Sequence, residues 1–170
     1  STVKVNGDTS ASRPFTESAA PNPQDAYGIS KWEAEQALWR IAHDTGLEVA
    51  ILRPPLVYGP GVGSNFLSLI NAVNTKIPLP LASVDNRRSL VFVANLTNAI
   101  MACLLQPAAA GQTYFVSDGE DVSTPELIRR LAAALGVRTA DHRVCSRVRG
   151  LSLKRRGGPY SPPSRWYFTM

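Results

Sequence analysis

Residues 27–60 read YGISKWEAEQALWRIAHDTGLEVAILRPPLVYGP, and this stretch decides the fold. Ala34, Ala37, Leu38, Ile41 and Ala42 form an apolar stripe at helical spacing, which predicts a helix from about Ser30 to Thr45 with Gly46 as its cap. Leu47–Arg53 is mostly apolar, contains β-branched residues and stops at Pro54-Pro55, the pattern of a buried strand. Downstream, a turn holding Gly59, Gly61 and Gly63 leads into a second helix over Asn65–Asn74, with Phe66, Leu69, Ile70 and Val73 as its stripe. A loop over Leu79–Asp85 precedes a strand at Ser89–Val93, a helix from Asn95 to Gln106 and a strand at Thr113–Ser117. Ser123-Thr-Pro-Glu126 is a capping box that starts a last helix, which ends at Leu135 with Gly136 as its cap. Upstream, residues 1–6 read as the remnant of a strand ending at Gly7, and 8–26 as a polar loop. Strands alternating with helices mean an α/β fold with a largely parallel sheet.

Composition limits the function classes. The chain of 170 residues is 44% apolar, which argues for a packed core, and it has no apolar run of membrane-spanning length. Residues 1–7 show no apolar signal segment. Two cysteines, Cys103 and Cys145, form neither a disulfide framework nor a metal cluster, so a reducing cytoplasm is the expected location. The net charge of +5 comes from residues 147–170, which hold six basic and no acidic side chains. Positive charge confined to a Gly-, Pro- and Ser-rich tail is not the folded basic face that nucleic-acid binding needs, so neither nucleic acid nor membrane is an expected partner. That tail is expected to be disordered.

Chemistry points to Tyr27 and Lys31. Residues i and i+4 share one helix face, which brings the Lys31 ammonium beside the Tyr27 phenol. A cation beside a phenol favours the phenolate, and the result is a general base usable near neutral pH. The glycines at 59, 61 and 63 do not make a dinucleotide fingerprint, because G-x-G-x-x-G would need glycine where Ser64 stands.

Several elements occur in a telling order. They are Ser1-Thr2-Val3-Lys4-Val5-Asn6-Gly7, Tyr27-Gly-Ile-Ser-Lys31, Arg53-Pro-Pro-Leu-Val-Tyr-Gly-Pro60, Asn65-Phe66 and Arg87-Arg-Ser-Leu-Val-Phe-Val93. Over residues 1 to about 146 the chain resembles the extended short-chain dehydrogenase/reductase family, in its nucleotide-sugar epimerase and dehydratase branch. The resemblance implies the C-terminal part of a Rossmann-like fold with a small substrate-binding region, and NAD as cofactor. It implies Tyr27 as acid/base, Lys31 on the nicotinamide ribose, and Thr2 hydrogen-bonded to the reacting sugar hydroxyl. Main chain of Pro54, Leu56 and Val57 would face the nicotinamide carboxamide. Asn65 and Phe66 would meet the sugar nucleotide, and Arg88 its diphosphate, with Arg87 the competitor for that role.

The family's glycine-rich dinucleotide turn belongs to a first half-fold that this chain does not contain. The chain alone is therefore expected to bind NAD weakly or not at all, to be inactive, and to self-associate, as a homodimer or otherwise. The expected organisation is 1–60 as the end of the Rossmann-like domain, 61–146 as the substrate-binding region with an interleaved strand and helix, and 147–170 as the basic tail. The family's 4,6-dehydratases carry Asp-Glu directly after the threonine, where Val3 and Lys4 stand here. What remains suffices for reversible oxidation at sugar C4, a UDP-sugar 4-epimerase-type reaction. A sugar-nucleotide reductase or dehydratase, or a non-catalytic fragment, stays open beside it.

Overall fold

Asp25 starts the first helix. Its backbone is extended (φ −123°, ψ 162°), and its carboxylate accepts a hydrogen bond from Gly28 N at 2.6 Å. Helix α1 therefore covers Ala26–Thr45, four residues ahead of the expected start, and takes in Tyr27. It ends at Gly46, which adopts φ +74°, the left-handed conformation that glycine enters without steric penalty. The computed structural model describes residues 1–10, 14–75 and 84–137, with only the backbone of Ser64 and Asn65. The expected tail at 147–170 and Cys145 lie outside the described residues.

The chain divides into two units. The first comprises Ser1–Val62 and Arg88–Asp121; the second comprises Gly63–Arg87 and the chain from Val122 onward. In the first, β1 (Ile51–Arg53) pairs in parallel with β4 (Thr113–Phe115), Ile51 opposite Thr113. Strand β2 (Leu56–Tyr58) pairs in parallel with β3 (Arg88–Phe92), Leu56 opposite Leu90. A two-residue strand β5 (Asp121–Val122) lies on the other side of β3. Helix α3 (Val93–Leu105) follows β3 directly. The β1–β4 and β2–β3 pairings, in two separate sheets, are thus parallel as expected, but only 51–53 of the expected strand at 47–53 is strand, with Val49 O also accepting from Gly111 N at 2.8 Å. After Pro54-Pro55 the chain changes partner and forms β2, an element the apolar pattern did not reveal.

Residues 1–6 are not a strand throughout. Thr2 is extended, then Val3–Val5 form a 3-10 turn in which the Thr2 hydroxyl accepts from Lys4 N at 3.4 Å. Backbone bonds Val5 N to Thr2 O (3.2 Å) and Asn6 N to Val3 O (2.9 Å) close it. This turn packs on the start of α1: a Cβ at Gly28 would lie 2.9 Å from Lys4 O. The predicted stripe of α1 is consequently not its buried side. Leu38 and Ile41 are exposed, whereas Gly28 and Glu35 are buried.

At the end of β2, Asp118 gathers three groups. Its carboxylate accepts from Tyr58 Oη (2.9 Å), Phe92 N (3.1 Å) and Asn95 Nδ2 (2.8 Å), which joins β2, β3 and α3. Gly59, at φ +136°, follows; a Cβ there would lie 2.7 Å from Val93 Cγ1. Close packing is the reason for that glycine, and no phosphate need be invoked.

The second unit pairs α2 (Ser64–Asn74) with α4 (Thr124–Ala134) through Val73, Ile128 and Ala132, with Leu69 and Leu131 beside them. The Ser123 hydroxyl accepts from Glu126 N at 3.2 Å, as a capping box requires. The Glu126 carboxylate instead takes Arg129 and, at 2.9 Å, Arg130. No helix among the described residues is long and apolar enough to cross a membrane.

Candidate active site

Helix α1 presents Tyr27 and Lys31 on one face in its first two turns, as the i,i+4 spacing predicts. The Lys31 ammonium lies 5.6 Å from the centre of the Tyr27 ring. Tyr27 is 53% exposed, so its phenol is open to a substrate. Among the described residues, neither the Tyr27 hydroxyl nor the Lys31 ammonium has a hydrogen-bond partner.

Thr2 is buried at the start of the turn that packs on α1. Its hydroxyl oxygen accepts from Lys4 N, which leaves its O–H to donate to a substrate oxygen. The two segments are held together at several points. Lys4 Nζ pairs with Asp25, the cap of α1, and with Asp8 at 3.2 Å. The Asp25 carboxyl lies below the usual carboxylate range because Lys4 hydrogen-bonds it, with the Gly28 amide adding to the effect. The Lys4 ammonium is raised by the same contact with Asp25 and then by Asp8. The side chain that stands where dehydratases carry an acid is thus engaged at the helix cap.

Pro54 follows β1 directly, and its carbonyl accepts from Val3 N at 3.1 Å. That ties the strand end to the Thr2 turn. Leu56 and Val57 sit in β2 opposite Leu90 and Val91. Arg88 opens β3 and is exposed, as is its neighbour Arg87. Asn65 lies in the first turn of α2, whose cap residue is Gly63; Phe66 is buried. Both belong to the second unit. The structure therefore brings together Thr2, Tyr27, Lys31 and the Pro54 strand end within one unit.

Sequence reasoning missed a buried polar cluster beneath this group. Arg53 donates from Nε to Glu35 Oε1 at 3.0 Å and from Nη2 to Glu35 Oε2 at 2.5 Å. Its Nη1 donates to Asn6 Oδ1 at 3.0 Å. Asn6 Nδ2 in turn donates to Ala19 O at 3.0 Å, and the Ser1 hydroxyl donates to Glu35. A signal for it existed. Arg53 alternates with Ile51 on the same strand face, and Glu35 follows Lys31 at i+4.

The fit of a nicotinamide cofactor can be judged on these residues. An exposed phenol and ammonium with no other partner, beside a strand end, suit the nicotinamide and its ribose. The pyrophosphate end needs amides of a glycine turn at a helix N-terminus, and no G-x-G-x-x-G occurs in this sequence.

Residues 1–117 match the NAD dependent epimerase/dehydratase family. The chain belongs to that family, and its described residues form part of a Rossmann-like extended short-chain dehydrogenase fold. It is similar to the UDP-glucose 4-epimerase of Vibrio cholerae, with 50% identity over 137 residues, 79% of this chain and 42% of that protein. In fold it is similar to a UDP-glucuronic acid 4-epimerase from Bacillus cereus solved with NAD, at a TM-score of 0.72 and 24% identity over 80% of this chain and 45% of that one. A dTDP-glucose 4,6-dehydratase from Streptomyces venezuelae, solved with NAD, gives 0.69 at 26% identity over 81% of this chain and 43% of that one. The chain spans less than half the length of these relatives.

Proposed function

We propose that the protein is a UDP-sugar 4-epimerase in cytoplasmic nucleotide-sugar metabolism, and that the 170-residue chain on its own is inactive. The observation that carries this reading is the exposed Tyr27–Lys31 pair beside the Thr2 turn; similarity to a UDP-glucose 4-epimerase supports it. Tyr27 takes the proton of the sugar 4-hydroxyl and later returns it, acting as general base and then acid. Thr2 donates to the same oxygen and orients it. Lys31 would bind the nicotinamide ribose beside the Tyr27 phenol. Main chain of Pro54, Leu56 and Val57 would face the carboxamide. Arg88, in the same unit, binds the sugar nucleotide by charge-assisted hydrogen bonds to its diphosphate. NAD, its nicotinamide end held by Lys31 and the main chain at Pro54–Val57, would supply reversible hydride transfer at sugar C4. No G-x-G-x-x-G turn for its pyrophosphate occurs in these 170 residues, so NAD affinity of the chain alone is expected to be millimolar or weaker.

Elimination of water is disfavoured, because Lys4 occupies the acid's position and is paired with Asp25 and Asp8. The test is turnover of UDP-galactose with NAD by the protein at its natural full length, beside Tyr27→Phe. The Phe variant should lose about 10²–10⁴-fold in turnover, since it lacks the proton-transfer group. Wild-type turnover in Tyr27→Phe refutes the reading. Reduction of a 4-keto sugar nucleotide without epimerisation would point to a reductase instead.

A further inference from the structure

We propose that Arg53 is a positioning residue that sets the spacing of the Thr2 turn and the Tyr27 helix; this rests on the reading that Thr2, Tyr27 and Lys31 form the catalytic set. The Arg53 side chain is 5% exposed and that of Glu35 is 2%. Two donors of the fork go to α1 through Glu35, and a third goes to Asn6, the residue that ends the Thr2 turn. Arg53 itself ends β1, and the next residue, Pro54, accepts from Val3 N. One buried side chain thus connects the three segments that carry Thr2, Tyr27 with Lys31, and the Pro54–Val57 main chain. None of its donors reaches the phenol of Tyr27 or the ammonium of Lys31.

Chemistry argues that the connection serves geometry. A buried ion pair contributes little net stability compared with apolar residues of similar volume. A planar guanidinium fixes directions as well as distances, because its donors leave in a rigid fork. Lysine carries the same charge but has no such fork. The reacting oxygen must meet both the Thr2 hydroxyl and the Tyr27 phenol. These sit on a turn and a helix that share few other constraints: the Ser1 hydroxyl on Glu35, the Lys4–Asp25 pair at the surface and the contact at Gly28.

Arg53→Lys and Asn6→Ser are to be assayed at natural full length with UDP-galactose and NAD, beside wild type and Tyr27→Phe. Asn6→Ser leaves the Glu35–Arg53 pair intact and cuts the arm from Arg53 to the turn, along with the Asn6 bond to Ala19 O. Both should lower kcat by roughly ten- to a hundredfold, the loss that follows a misplacement of about 1 Å. KM for UDP-galactose should stay within about twofold, because neither side chain is placed on the substrate. A purely structural role predicts activity that falls only with the folded fraction, measured by circular dichroism, with wild-type kcat per folded molecule. That outcome in both variants overturns the inference. If Arg53→Lys does not fold, Asn6→Ser decides alone. A wild type or a Tyr27→Phe protein that fails its own expectation overturns the catalytic reading and this inference with it. An inactive Tyr27→Phe beside fully active Arg53→Lys and Asn6→Ser leaves the catalytic reading standing and removes Arg53.

Discussion

Gly28→Ala sets helix propensity against a close contact, and the structure decides the sign. In an open helix, alanine is better than glycine by about 1 kcal/mol. At position 28 the added methyl carbon would lie 2.9 Å from Lys4 O, 3.1 Å from Pro23 Cβ and 3.2 Å from Asp25 Oδ1. Contacts of this kind settle at about 3.5 Å or beyond, so the methyl must gain roughly 0.6 Å from Lys4 O and a few tenths of an ångström from the other two. The neighbours cannot swing aside cheaply. Lys4 O is backbone and accepts from Gly7 N at 3.2 Å, and Asp25 Oδ1 holds the α1 cap. Overpacking of this kind costs about 1–3 kcal/mol, which outweighs the propensity gain at all but the lowest end and leaves a net loss of up to about 2 kcal/mol. In a chain of this size that is a fall of up to roughly 8 °C in Tm. Urea unfolding followed by far-ultraviolet circular dichroism measures it directly. A variant more stable than wild type would show that the turn and helix are not in contact as described, and the placement of Thr2 against Tyr27 would fall with it.

Glu35→Ala should destabilise the chain by about 3–5 kcal/mol, since it leaves the Arg53 guanidinium buried without a counter-charge; a denaturation midpoint within error of wild type contradicts the buried pair. Arg88→Ala should weaken UDP binding by roughly 1.5–3 kcal/mol at natural full length, read by calorimetry, and an unchanged affinity moves the role to Arg87. The α1 cap should loosen at both pH extremes. Asp25 titrates below its unfolded value, so its contribution is present above about pH 4 and lost as pH falls through the lowered value. Lys4 titrates above its unfolded value, so its contribution holds below about pH 10 and is lost as pH rises through the raised one. Amide exchange at Gly28 and Ile29 should quicken first in both limits, and Asp25→Asn should abolish the acid limb; an acid limb that survives in Asp25→Asn assigns the loosening to another group.

The Tyr27–Lys31 pair was legible because helical spacing alone places i and i+4 together, and the helix, strand and helix order followed from apolar period and caps. Asp25 was less visible as a cap, since it closes a long polar loop and the predicted apolar stripe begins only at Ala34. The Thr2 turn escaped because Val3 and Val5 alternate with polar residues as a strand would, while the deciding bonds run from each residue to the third one on. Glu35 and Arg53 escaped for another reason. Apolar periodicity treats every charge as solvent-facing, and these two are buried only because each satisfies the other across 18 residues of chain. The stripe of Leu38 and Ile41 was legible as a stripe but not as an exposed one. A sequence shows that a helix has an apolar side, not what covers it.

The pair Pro54-Pro55 has a consequence for synthesis of the chain. Neither proline can donate to a ladder, so the backbone changes neighbours there, β1 taking residues 113–115 and β2 taking residues 88–92. The later strand thus meets its partner earlier. On a ribosome moving at about 5–20 residues per second, the β2 partner emerges one to several seconds before the β1 partner. During that interval the segment ending in Arg53 lacks its partner at residues 113–115. A pause in translation between the codons for Phe92 and Thr113 would lengthen the interval, and it is this edge, not the one at β2, that a chaperone on the nascent chain would have to cover.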